Sequence, residues 1–274
     1  MTYEDWLKTQ PDDVVRDILG PTRFGLYKAG TPIDSFVTDG RMLTLEQVAM
    51  ELKPNLTFDP VNEDTSEAVN ELRNLSGIKE IDLAGVPKNV IEQVINKGFK
   101  SFIKEFPEIK DMINSIKTIE NMTAEAQVDL DKNTFEINMV SFNSMQNLNK
   151  IMQIAKLDKV WPEGTQVHST ITHDLVHYLD KYITNKNGYE FNTGSNFSKH
   201  VFEEMQKKFG FSGLQDDKIM NGLSNYASRR YTDFLAEGVT EYMDSNSPRE
   251  IATAIWNEVE LEINRIRKLQ SLLR

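Results

Sequence analysis

The chain contains no cysteine. Disulfides, thiolate metal sites and thiol nucleophiles are thereby excluded together, and the composition fits a reducing compartment. Histidine is also scarce, with four in 274 residues. No apolar run approaches the ~18 residues of a membrane span. The opening MTYEDWLKTQPDD has neither a basic nor an apolar signal region. No membrane partner and no signal peptide are therefore expected. Positive charge is in deficit: 31 Lys and Arg stand against 42 Asp and Glu, a net charge of −11. Phosphate backbones repel such a chain, so nucleic acid is not an expected partner. The short basic clusters Lys207-Lys208 and Arg229-Arg230 read as solvated faces.

What remains is an ordinary globular composition, 39% hydrophobic and 27% charged. The length suffices to bury a core without staples, so a metal would be functional rather than structural. The first 52 or so residues read as short helices and turns, with a helix ending at Gly20-Pro21 and another capped by Thr44. This part is too small to hold a core alone. The polar stretch Lys53 to Asn70 reads as a linker. It divides a helical appendage, 1–65 with the linker, from a domain over 66–274. Within the domain, helical spacing runs from Pro87 to Glu105. AEAQVDL and TFEINMVSF alternate as strands around the turn DLDKN and predict a hairpin. TQVHSTITHDLVHYLDKYIT and YTDFLAEGVTEYM read as helices. The last helix is predicted to start with Ser247 as N-cap and Pro248 in its first turn, and to bury Ile251, Ile255, Val259, Ile263 and Ile266.

Chemistry first shows in THDLVHYLD, 172–180. Residues four apart share a helix face, with Cβ atoms ~5–6 Å apart. His173 and His177 can thus offer imidazole nitrogens to one ion. Asp180, on the same face, is placed to fix an imidazole tautomer. His168 and His200 lack such geometry and read as non-ligands. A peptidase zinc takes three protein ligands and one open position. The downstream helix supplies Asp233 and Glu237, also four apart, as sources of the third.

From about Val86 to Arg274 the chain resembles the zincin metallopeptidases of the anthrax lethal factor type, frequent as domains of phage head proteins. The matching stretches are ITHDLVHYLDKY, against the family's HExGHxxD, and SNYASRRYTDFLAEGVTEYM, against SxYxxxxxxEFFAEAF. The resemblance implies an α+β fold, mostly helical, with a small sheet edged by a hairpin. It implies His173 and His177 as zinc ligands, Asp174 as general base and Asp233 as third ligand. Glu237 corresponds to the family's next glutamate, outside the ligand set, although its longer reach makes it the alternative third ligand. Tyr226 corresponds to the tyrosine that stabilises the oxyanion. Separately, YEDWLKTQPDDVVRDILGPTRFGLYKAG with FVTDGRMLTLEQV resembles the end of phage Mu-type minor head (head morphogenesis) proteins. That implies a virion or host-cytoplasm location and capsid or portal partners beside a protein or peptide substrate.

Two acids depart from the family pattern. Asp174 stands where the family has Glu, which sets its carboxylate ~1.5 Å further back, roughly one C–C bond. Asp233 carries the same truncation. The expectations are accordingly three: a phage-encoded zinc peptidase, a catalytically degenerate zincin fold with a structural or interaction role in the virion, or a toxin-like effector sharing the same site.

Overall fold

The computed structural model describes residues 7–28, 33, 37–38, 41–42, 64–120, 122, 124–157, 159–162, 164–187 and 196–272. Helix α1 (Asp12–Lys28) carries acids in its first turn and Lys28 in its last, matching the helix dipole. It runs through Gly20-Pro21, where the sequence predicts a stop. Burial outweighs the local breaker: Val15, Leu19 and Phe24 are buried with Leu7 and Ile33 in a cluster of their own. A two-residue ladder follows, β1 (Val37–Thr38) with β2 (Arg41–Met42). The helix predicted from Thr44 and the linker up to residue 63 lie outside the described residues. The rest of the predicted linker is a correction, because Ser66 opens helix α2 (Ser66–Ser76). Its buried positions, Ala68, Leu72 and Ser76, recur every four residues, a stripe too sparse to stand out among polar neighbours.

The main sheet has four strands, β3 (Glu80–Asp82), β4 (Ser115–Ile119), β5 (Ala126–Asp129) and β6 (Thr134–Asn138), in the order β3-β4-β6-β5. The first three in space run parallel, and β5 closes the edge antiparallel to β6. That edge pair is the predicted hairpin. Asp129 Oδ1 holds its turn, accepting the N–H groups of Asp131 and Lys132. Parallel β3 and β4 require a crossover, which helix α3 (88–105) supplies, with a π-helical stretch at Ile91–Asn96. Phe135 and Ile137 of β6 point into the core, and Phe135 lies 5.5 Å from the Phe99 ring of α3. The strand's other face is not uniformly wet. Asn138 is buried because its amide donates to the carbonyls of Met122 and Ala124.

The remaining helices are α4 (Met145–Leu157), α5 (Ser169–Lys186), α6 (Phe197–Phe209), α7 (Asp217–Gly222), α8 (Tyr231–Asp244) and α9 (Glu250–Leu272). The fold is α+β and mostly helical. Helix α5 sits at its centre, against α3, β5 and α8, while α8 also packs on α6 and α9. Two glycines set the helix spacings. A Cβ on Gly98 would lie 2.6 Å from Ile171 Cβ, and one on Gly238 would lie 2.4 Å from Ile255 Cδ1. Lys181 of α5 donates to Leu130 O and Asn133 Oδ1, tying the edge hairpin to the central helix. Helix α9 buries its predicted isoleucine and valine stripe. It begins at Glu250, after the predicted Ser247-Pro248 start. Glu241 explains the shift, because its carboxylate takes both the backbone N–H and the guanidinium of Arg249 and holds that residue as the last before the helix. Among the described residues no helix is long and apolar enough to cross a membrane.

Candidate metal centre

Helix α5 presents His173, Asp174 and His177 together. One ligand atom from each lies within 4.8 Å of the other two, a group able to hold a metal ion. Ligand atoms of a tetrahedral zinc lie ~3.4 Å apart, about 1.6 times a ~2.1 Å bond, so closure on such an ion would draw the three atoms together by up to ~1.4 Å. His173 and Asp174 are buried and His177 is half-buried. The rings of Trp161, Tyr226 and His177 stand 5.4, 5.6 and 5.2 Å from that of His173. Trp161 comes from a segment that Asn225 fastens to the loop before α8, its N–H donating to Lys159 O at 2.6 Å.

Helix α8 supplies the two acids one turn apart, and they have different occupations. Glu237 is buried beneath His173, its Oε1 2.8 Å from Nδ1. Both atoms are buried, and neither has a regular hydrogen-bond partner. Its other oxygen accepts from Ser224 Oγ at 2.8 Å. A carboxylate behind one imidazole nitrogen leaves the other free for a ligand, the arrangement that metal-binding histidines commonly have. Asp233 is equally buried, but both its oxygens are taken by Arg230, Nε to Oδ2 and Nη2 to Oδ1, each at 2.9 Å. Neither acid belongs to the three-residue cluster. Asp233 nonetheless borders it, because its charge bears on His173, Asp174, Glu237 and Tyr226.

Burial dominates the electrostatics of the cluster. Burial, reinforced by the charges of Glu125 and Asp233, pushes Asp174 up to about 7 against the pull of His173. Burial, with His173 and Arg230 nearby, depresses His177 to about 3. Burial opposes a charge on His173, but contact with Glu237 outweighs it and lifts the imidazole. Burial likewise raises Glu237, against the pull of His173. Tyr226 is raised, by burial first and then by Asp233 and Asp174.

Asp180 does not serve an imidazole. Its carboxylate accepts the Ser198 N–H at 2.9 Å and contacts Thr184 and Asn196, so it satisfies the start of α6. His168 lies outside the cluster, as its spacing predicts, with Nε2 3.4 Å from Asp244 Oδ1. Sequence reasoning passed over Ser224 and Trp161 and read Arg230 as part of a solvated face; although its side chain is exposed, its guanidinium holds Asp233. Only Arg230 carried a readable signal, an arginine three residues before an aspartate at a helix start.

Comparison with known proteins finds no matching family model, no matching curated protein and no matching solved structure.

Proposed function

We propose that this chain is a phage-encoded zinc peptidase domain of a minor head protein, a zincin of the lethal factor type. The observation that carries the reading is the His173–Asp174–His177 cluster with a buried carboxylate, Glu237, behind His173. The two motif resemblances supply the family and the virion setting. His173 and His177 would hold the ion, with Asp233 as the third ligand once released from Arg230. Zinc so held supplies Lewis acidity and activates water for attack on a peptide carbonyl.

The chain's own groups fit the remaining roles. Asp174 is buried beside the two histidines, in reach of the same ion, where a general base would stand. Glu237 fixes the orientation of His173. Tyr226 keeps its proton, since burial raises it, and so serves as a donor to a developing oxyanion.

The hold of Arg230 on Asp233 favours a second reading, a catalytically silent zincin fold with a structural or interaction role in the virion. Metal analysis and peptide hydrolysis separate the two. The peptidase reading expects one zinc per chain and hydrolysis that Asp174→Ala abolishes. Protein that neither carries nor binds zinc would sink it. Zinc binding without hydrolysis of any protein substrate, with activity gained in Asp174→Glu, would establish the silent form.

A further inference from the structure

Arg230 stands in the relation to this centre that a bound cation would have. Its fork grips both oxygens of Asp233, the geometry of the stronger, charge-assisted pairs. The charge of the same guanidinium also bears on Tyr226 and His177. Three groups around the centre therefore answer to one side chain. The two partners differ sharply in freedom. The Asp233 side chain is 1% exposed on a helix packed from several sides, whereas 67% of the Arg230 side chain faces solvent. A carboxylate so buried needs a counter-charge. Among the described residues Arg230 is the cation bonded to it.

We propose that Arg230 is a displaceable latch on the metal centre. Without metal it neutralises Asp233 and keeps that carboxylate out of the His173–Asp174–His177 cluster. Loading a divalent cation exchanges one counter-charge for another: Asp233 leaves the guanidinium for the ion, and Arg230 swings into water, where its long stem already lies. The exchange moves no electrons and breaks no covalent bond. Its consequence is that Arg230, a positioning residue, lowers the affinity of the site for metal and keeps the empty centre folded. The inference rests on the zinc reading, and the experiment separates the two.

Zinc titration calorimetry on the full chain would compare the parent with Arg230→Gln, Asp233→Asn and the double variant, with thermal unfolding measured with and without zinc. Arg230→Gln should bind zinc at least ~10-fold more tightly, the factor that follows from losing a single competing charge-assisted pair. It should also melt lower than the parent without zinc and regain that loss when zinc is added. In the Asp233→Asn background the same change should alter affinity less than about twofold, since no grip remains to release. Equal or weaker binding by Arg230→Gln, with the parent still binding zinc, overturns the latch and leaves the metal centre standing. An equal gain in the Asp233→Asn background also overturns it, because simple charge repulsion would then suffice. Binding by Arg230→Gln but not by the parent supports the latch. Absence of zinc binding in every variant removes the metal reading and the latch together. If Arg230→Gln does not fold, Arg230→Lys keeps the charge without the fork. It should then tighten binding by a few-fold, and an unchanged affinity refutes the latch.

Discussion

Asp174 and His177 should give the metal-free protein two pH dependences of opposite sign that hide one another. The folded state holds the Asp174 proton up to about pH 7, whereas an ordinary aspartate loses it near 3.8. The stability this contributes is complete below pH ~4 and is lost as pH rises to about 7. Three units at ~1.4 kcal/mol each give ~4 kcal/mol as an upper figure. His177 runs the other way. The unfolded chain takes its proton near 6.5, but the folded state resists until about 3. That contribution is present above pH ~6.5 and is lost as pH falls towards 3. Its ceiling is ~5 kcal/mol by the same conversion, trimmed because a half-buried imidazole keeps some hydration. Neither group is among the causes of the other's shift, so the two should act nearly independently. Between about pH 4 and 6.5 the slopes oppose and the parent should look flat. Urea unfolding in chelator from pH 4 to 8, followed by tryptophan fluorescence, would resolve them. Asp174→Asn should match the parent near pH 4 and exceed it by a few kcal/mol at pH 8. His177→Gln should match the parent at pH 8 and exceed it near pH 4. Stability curves that run parallel for all three proteins would refute the burial argument for both groups.

Other outcomes follow from single contacts. Glu237→Gln keeps the shape but removes the charge behind His173, and should weaken zinc binding ~10–100-fold in a chelator competition, as lost outer-shell partners do. Equal affinity would show that the carboxylate is not needed there. Gly238→Ala places a methyl 2.4 Å from Ile255 Cδ1 and 3.0 Å from its Cγ2, and should cost ~1–3 kcal/mol by forcing that buried side chain out of its rotamer; an unchanged denaturation midpoint would mean that Ile255 repacks freely. Phe135→Ala empties a fully buried ring site against Phe99 and should cost ~3–5 kcal/mol in the same assay. A loss under 1 kcal/mol would show that the core refills the space.

Local patterns carried much of the architecture. The isoleucine stripe of α9, the helical spacing of 87–105 and the hairpin around Asp129 were all legible because each depends on neighbours a few residues away. Where local reasoning failed, a distant contact had outvoted it. Helix α1 passes Gly20-Pro21 because its apolar face is buried. Helix α2 was hidden because three buried side chains suffice once a core lies beneath them. Helix α9 starts late because Glu241 holds Arg249.

The sequence by itself determined the central pair of the site. Histidines four apart on a helix share a face whatever surrounds them, and an arginine three residues before Asp233 was already within reach of it. Only the tertiary structure decided what the acids do. Asp233 and Glu237 are alike in sequence, one turn apart on α8, yet one faces Arg230 and the other His173. That difference depends on the rotation of α8 against α5, set by side chains from α3, α6 and α9 that no local pattern contains. Burial decided the charges as well. Asp174 keeps its proton and His177 refuses one because the packed core, not the motif, controls how far each lies from water.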